Sequence, residues 1–312
     1  MNVGIVGLGF MGATHAAAYA TLGEVQIRAV ASRNERAISG DFSSIGGNLG
    51  SALPPVDFSS AAKYTDWEQV IADPSVEAVD VCAPTYLHEQ ISLAALDAGK
   101  HVFCEKPMAL SAAACDRMLK ARTKGQVLMI GHVLRFWPEY EELRESLSLG
   151  EYGRVRTATF TRVAALPKWS SWITDPAKSG GAVLDLLIHD LDQVVLLFGT
   201  PESVQAKRSG PYDGVLATFS YPNGLMVQLE GGWMGPDTPF AMGYKIETDR
   251  ACFSLNPNQP VQIPVTEAYR EELSYFQRCC DEGRQPERCP PEESAAAVRL
   301  AMLVQECRDC VI

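Results

Sequence analysis

The stretch Val3-Gly4-Ile5-Val6-Gly7-Leu8-Gly9-Phe10-Met11-Gly12, running on into Ala13-Thr14-His15-Ala16-Ala17-Ala18-Tyr19, decides how the rest of the chain is read. The apolar start predicts a short buried strand over Val3–Val6, and the alanine-rich run predicts a helix over Met11–Leu22. Between them stands G-x-G-x-x-G. Each glycine of such a turn has its own reason. The first admits a tight turn, the second leaves room for a pyrophosphate against the backbone, and the third lets helix and strand pack closely. The helix N-terminus adds unpaired N–H groups and the positive end of the peptide dipoles, which favour a bound anion. Gly7, Gly9, Phe10, Met11 and Gly12 are therefore the candidate contacts to a dinucleotide. Six residues of this composition are weak evidence alone; between a strand and a helix they are strong.

Outward from this turn the pattern alternates. Val25–Ala31, Ala78–Cys82, His101–Cys104 and Val127–Ile130 read as strands, and Asp66–Ala72, Leu87–Ala98 and Ser111–Lys124 as helices. Such alternation predicts an α/β Rossmann-type domain over residues 1–125, a doubly wound parallel sheet covered on both faces. The end of its second strand speaks to cofactor choice. An NAD site usually places Asp or Glu there, against the ribose hydroxyls. Ala29-Val30-Ala31-Ser32-Arg33-Asn34 has no carboxylate before Glu35. Ser32 can donate to a 2′-phosphate and Arg33 can pair with it or stack on adenine, so NADP is favoured over NAD. Residues Ser39–Ser60, rich in Gly, Ser and Pro, stand where a crossover helix is expected. They read as an extended loop beside the adenosine end or as a mobile flap.

Residues 126–312 change character. Arg154–Val163 alternates, with Val155, Thr157, Thr159, Thr161 and Val163 on one face. Val215–Ser220 and Leu225–Gly231 flank Tyr221-Pro222-Asn223-Gly224, a hairpin signal. Lys245–Thr248 and Ala251–Ser254 add short strands, and helices are expected over Gly181–Phe198, Glu267–Asp281 and Glu292–Cys307. This predicts an α+β domain with a large, mostly antiparallel open sheet.

Two further segments carry chemistry. Ala83-Pro84-Thr85-Tyr86-Leu87-His88 and Cys104-Glu105-Lys106-Pro107 follow the fourth and fifth strands, at the carboxyl edge where such sheets bind ligands. Ala83, Pro84, Thr85, His88, Glu105 and Lys106 thus join the cofactor-side candidates. Thr85 can also cap the next helix, and His88 reads better as a packing residue than as a catalyst. His15, inside the first helix, reads as structural. Lys106 can donate to a substrate oxygen. Asp185 and His189 are four apart on an expected helix, where they share a face; a carboxylate there can hold an imidazole in one tautomer, as a general base requires.

Gly7–Gly12, Glu105-Lys106-Pro107 and the run Ser179-Gly180-Gly181-Ala182-Val183-Leu184-Asp185-Leu186-Leu187-Ile188-His189-Asp190-Leu191-Asp192 together resemble the Gfo/Idh/MocA oxidoreductases, the family of glucose–fructose oxidoreductase and inositol dehydrogenase. The resemblance spans nearly the whole chain. It implies a dinucleotide domain followed by an open-sheet domain, with Lys106, Asp185 and His189 as catalytic residues and a sugar, inositol or related polyol as substrate. It also implies a substrate wall from Arg135, Trp137 and Tyr140, and Trp169 and Trp172 precede the glycine pair as candidates for another. Leu187 stands where many members carry a small residue, which bears on the pocket near the nicotinamide. A glycosidase that uses bound NAD within the same fold, and a non-catalytic dinucleotide-binding regulator, are the rival readings. Similar proteins often form dimers or tetramers, so a homo-oligomer is expected.

Composition excludes other classes. Lys and Arg number 27 against 38 Asp and Glu, a net charge of −11 without a basic cluster, which disfavours nucleic acid. No apolar run reaches the length of a membrane span, and the apolar start lacks a basic leader. The nine cysteines read as free thiols of a reducing cytoplasm. Cys307 and Cys310 form one C-x-x-C without a second pair, too little for a metal site.

Overall fold

The first part of the chain runs β1 (Asn2–Val6), α1 (Phe10–Tyr19), β2 (Gln26–Ala31), α2 (Glu35–Ile38), β3 (Ala62–Tyr64), α3 (Trp67–Ala72), β4 (Ala78–Val81), α4 (His88–Asp97), β5 (His101–Glu105), α5 (Ala112–Ala121) and β6 (Leu128–Gly131). It continues with α6 (Pro138–Ser148), β7 (Val155–Ala164), α7 (Pro176–Ser179), α8 (Gly181–Asp185), α9 (Ile188–Phe198), β8 (Ser203–Ser209), β9 (Asp213–Ser220), β10 (Met226–Trp233), β11 (Ala241–Thr248), β12 (Cys252–Leu255), α10 (Val265–Glu282) and α11 (Pro291–Asp309). The structure, a computed structural model, describes residues 1–46, 53–168, 170–210, 212–257 and 265–309. Two compact units emerge. One comprises Met1–Ala109, Ala113–Phe136 and Ile263–Ser294, the other Leu110–Ala112, Trp137–Gln262 and Ala295–Ile312.

In the first unit six strands pair in parallel in the order β3-β2-β1-β4-β5-β6. Its strands are near-continuous apolar runs because both faces are covered: Val3, Ile5, Val79, Val81, Val102 and Phe103 have no accessible surface. α10 completes this core from far along the chain, with Phe276 edge-on to Phe103 at 5.4 Å between centroids. Each fully buried ring of this kind stabilises the unit by roughly 2 kcal/mol.

Ser39–Ser60 holds no helix or strand among its described residues. Its two ends are nevertheless packed: Phe42, Val56 and Phe58 are buried, the two rings meet at 6.1 Å, and Val56 N donates to Gly40 O at 3.1 Å. Gly40 takes φ +88°, and a Cβ there would strike Val56 O. Residues 47–52 lie outside the described part. The crossover helix that this segment replaces shrinks to the four-residue α2, started by the Asn34 side chain accepting from Arg36 N and Ala37 N.

The second unit carries a six-stranded sheet in the order β12-β11-β7-β10-β9-β8. β7 and β10 pair in parallel; every other pair is antiparallel. β9 and β10 form the hairpin expected around Tyr221–Gly224, with Gly224 at φ +84°. In β7 the alternation holds, but Ala158, Phe160, Arg162 and Ala164 make the buried face, and the threonine face is the more open one. β3 and β8, both with half-exposed polar patterns, escaped the sequence reading. The helix expected over Gly181–Phe198 is broken: α8 ends at Asp185 and α9 begins at Ile188. Among the described residues no helix is long and apolar enough to cross a membrane.

Candidate active site

The register of the parallel sheet brings the first set of candidates to one edge. Ala31 pairs with Val6, Val6 with Val81, and Val81 with Cys104. The next residues, Ser32, Gly7 and Cys82, therefore leave the sheet in one row, level with Glu105, the last residue of β5, and Lys106 follows it off the edge. Strand order reverses on the two sides of β1, the switch point at which open α/β sheets bind ligands.

At that point each glycine of the turn has a measurable reason. Gly7 takes φ +93°, and a Cβ there would lie 2.6 Å from Cys82 O. A Cβ on Gly12 would lie 1.9 Å from Gly7 O, so α1 packs on the turn without room for a side chain. Nothing lies within 4 Å of a Cβ built on Gly9, which is open to an approaching group. No side chain caps α1 and no acidic residue stands in its first turn, leaving its N-terminal amides to an anion. Phe10 and Met11, half-buried, begin that helix.

At the end of β2, Ser32 Oγ accepts from Asn34 N at 3.1 Å, which leaves its hydroxyl hydrogen to donate elsewhere. Arg33 is exposed, and so is Arg36 in α2, a second cation that the sequence reading passed over. After β4, Ala83 and Pro84 are half-buried and Thr85 is buried in a short 3-10 turn. Neither that turn nor α4 has a side-chain cap, so Thr85 does not serve as one. His88 is buried and ties two loops together: Nδ1 lies 2.8 Å from Pro107 O and Nε2 2.8 Å from Ala83 O. Burial pulls its pKa below the ordinary value, against the two carbonyls and Glu105. Along residues 102–109, Lys106 alone is not buried. The Lys106–Pro107 peptide is cis.

In the second unit the same contrast marks the other pair. Along residues 181–195, Asp185 and His189 alone are not buried. Asp185 is the last residue of α8 and His189 the second of α9, so the helical i,i+4 spacing does not describe them; the break at Leu186-Leu187 does. The start of α8 is held by Asp213, whose Oδ2 accepts from Ala182 N at 2.7 Å while Oδ1 accepts from Arg308 at 2.7 Å. α9 is anchored by Asp190, fully buried, which accepts from Arg162 Nε at 2.6 Å and Nη2 at 3.2 Å. Burial pushes the Asp190 carboxyl above its ordinary value even with Arg162 beside it. Leu187 has no accessible surface and packs on Gly231 of β10, where a Cβ would lie 2.9 Å from its Cδ2; its bulk is spent on the sheet.

The aromatic and cationic wall candidates fare differently. Arg135 is a correction: its guanidinium is wholly buried, with Nη1 2.6 Å from Glu293 and 3.2 Å from Arg288 O, inside the first unit. A cation so enclosed has no face for a substrate. Trp137 and Tyr140 are also buried, Tyr140 edge-on to Tyr244 at 5.3 Å. Trp172 is half-buried against a small cluster of Ala164, Ile173, Ala182, Leu186 and Trp233. Trp169 and Cys310 lie outside the described residues; the eight other cysteines are free thiols. Sequence reasoning missed Asp80 and Arg162. Their signal was legible: Asp80 interrupts the apolar strand Ala78-Val79-Asp80-Val81, and Arg162 falls on the apolar face of an alternating one.

Comparison with known proteins agrees with this architecture. Residues 1–132 match the family described as "Oxidoreductase family, NAD-binding Rossmann fold", and residues 140–248 match the GFO/IDH/MocA C-terminal domain. The chain is 34% identical over 213 residues to a 1,5-anhydro-D-fructose reductase of Ensifer adhaerens, a match spanning 64% of this chain and 63% of that protein's length. It is 28% identical over 98% of its length, and 97% of the partner's, to the D-xylose 1-dehydrogenase (NADP(+)) 2 of Haloferax volcanii. A levoglucosan dehydrogenase solved with NADH and levoglucosan superposes with a TM-score of 0.83 at 21% identity, covering 99% of this chain and 97% of that one, which establishes the shared fold.

Proposed function

The chain belongs to the Gfo/Idh/MocA oxidoreductase family, and on that premise we propose that it transfers a hydride between a nicotinamide dinucleotide, NADP in preference to NAD, and a sugar, inositol or related polyol. The observation that carries this reading is the row of residues at the carboxyl edge of the parallel sheet. It holds an open glycine turn at an uncapped helix N-terminus and, two strands away, Lys106 as the accessible side chain of its segment. Phosphates would lie against the α1 amides at Gly9–Gly12. The 2′-phosphate would meet the Ser32 hydroxyl and the Arg33 guanidinium, with Arg36 adding positive charge nearby in the chain. The dinucleotide, when bound, supplies the hydride chemistry. The chain's own residues handle protons and developing charge: in the oxidising direction His189 takes the hydroxyl proton, Asp185 orients it, and Lys106 stabilises the alkoxide as it forms.

Substrate class follows the relatives, which are named for anhydrofructose and xylose. A cytoplasmic homo-oligomer is part of the same reading. Titration of NADPH and NADH by fluorescence tests the cofactor assignment. NADPH should bind tighter, and Arg33→Ala should weaken NADPH about tenfold while leaving NADH within about twofold, since a charge-assisted contact is worth about 1.5 kcal/mol or more. Equal loss for both cofactors would reassign Arg33 to the adenine, and no loss for either would reassign it to solvent.

A further inference from the structure

Beneath the sheet edge lies a buried ionic group that the proposed chemistry does not use. His15 on α1, Asp80 on β4 and Glu105 at the end of β5 are at most 5% exposed. His15 Nδ1 lies 2.9 Å from Asp80 Oδ2. Its Nε2 lies 3.1 Å from Glu105 Oε1, a charge contact without the alignment of a hydrogen bond. Cys82 Sγ donates to Asp80 Oδ1 at 3.2 Å and stands 3.3 Å from Nδ1. The rings of Phe103 and Tyr269 close around the imidazole at 5.4 and 5.8 Å. Tyr19, also buried, completes the polar groups near Asp80.

Two carboxylates enclosed so close together need a cation, or one of them takes up a proton. The imidazole meets that need. Burial opposes its charge, but the Asp80 carboxylate, by charge and by its hydrogen bond at 2.9 Å, holds the His15 pKa well above its ordinary value. Burial likewise works against the Glu105 carboxylate, yet His15, Lys106 and His88 hold it below its usual range. Glu105 then reaches Lys106 directly, its Oε2 accepting from Lys106 N at 3.1 Å. A continuous line of contacts thus runs from the dinucleotide-facing helix to the lysine.

We propose that His15 is a positioning residue: wedged between the Asp80 and Glu105 carboxylates, it ties α1 to the strand end that carries Lys106, and so sets the place of that lysine without touching substrate. The proposal rests on the reading of Lys106 as the group that meets substrate. A metal centre is the competing account, because donor atoms of His15, Asp80 and Cys82 all lie within 4.8 Å of one another. The bonds already made among them occupy that space, and the Cys82 thiol, pushed up by burial and by Asp80, resists the ionisation a metal would require.

The test is lysine modification by trinitrobenzenesulfonate in the full chain without dinucleotide, followed peptide by peptide. Its subjects are the wild type, His15→Gln, Glu105→Gln and the double variant. Lys106 should react about threefold faster or more in either single variant and no faster in the double, because both act along one line, while the other eight lysines keep their rates. An unchanged Lys106 rate overturns the proposal. A uniform rise across all lysines does too, since it marks general loosening, and so does one equivalent of zinc in the purified protein. Should His15→Gln fail to fold, the near-isosteric Glu105→Gln decides alone. NADPH titration of the wild type is read separately: failure to bind would remove the functional reading and leave the labelling result standing.

Discussion

The β1–α1 turn and the α8–α9 segment carry comparable signals in the sequence, three glycines in one, a carboxylate and an imidazole in the other, yet they translate into structure differently. The turn is defined by backbone. Gly7 must adopt a positive φ, Gly12 must lack a Cβ, and Gly9 faces open space, so residue spacing alone dictates geometry. The α8–α9 segment is defined by side chains on a helix that the fold interrupts. Its spacing of four suggested one face of one helix, and the chain instead breaks at Leu186-Leu187, with Leu187 turned onto Gly231. What survives there is accessibility: Asp185 and His189 remain the open positions of an otherwise buried run. Backbone-built sites can be read from sequence; side-chain sites wait for the packing that places them.

The largest effect expected from this contrast belongs to the second region. Arg162→Met leaves Asp190 buried without its cation and should cost about 4 kcal/mol, read as a fall in denaturant midpoint. The cost should also depend on pH in a fixed direction. Asp190 has a folded-state pKa above its ordinary value, so its contribution to stability is present below that value and is lost as pH rises through the folded pKa. Without Arg162 the rise steepens, and the variant's deficit should be larger at about pH 8 than at about pH 5. A deficit that does not change with pH would mean that Asp190 is not the ionised partner. In the turn, Gly12→Ala should cost about 3 kcal/mol, because its Cβ meets the Gly7 carbonyl. Gly9→Ala, with open space around it, should shift stability by about 0.5 kcal/mol or less and act on dinucleotide affinity instead. Equal stability losses at Gly9 and Gly12 would erase the distinction between packing glycine and ligand-facing glycine.

Both sheets, their mixed and parallel characters, and the hairpin at Tyr221–Gly224 were legible from hydrophobic period and turn residues. β3 and β8 were not: β3 is only three residues long, and β8, on the sheet edge, has no buried residue and only Val204 and Ala206 as apolar positions, too weak an alternation to stand out. The assignment of Arg135 to substrate failed for a different reason. Position near a sheet end says nothing of what arrives from residues 288–293 to enclose the guanidinium. His15 shows the converse. The sequence reads it as structural from its place inside the first helix, but its partners come from β4 and β5, 65 and 90 positions away, and no local pattern announces them.

The measurement that bears most directly on the whole account follows deuterium from labelled NADPH to carbon in a panel of keto-sugars and inososes, with wild-type protein and with Lys106→Ala at saturating NADPH. Transfer by the wild type, and a loss of about a thousandfold in the variant at near-unchanged NADPH affinity, is the expected result. Transfer by Lys106→Ala at the wild-type rate would contradict it.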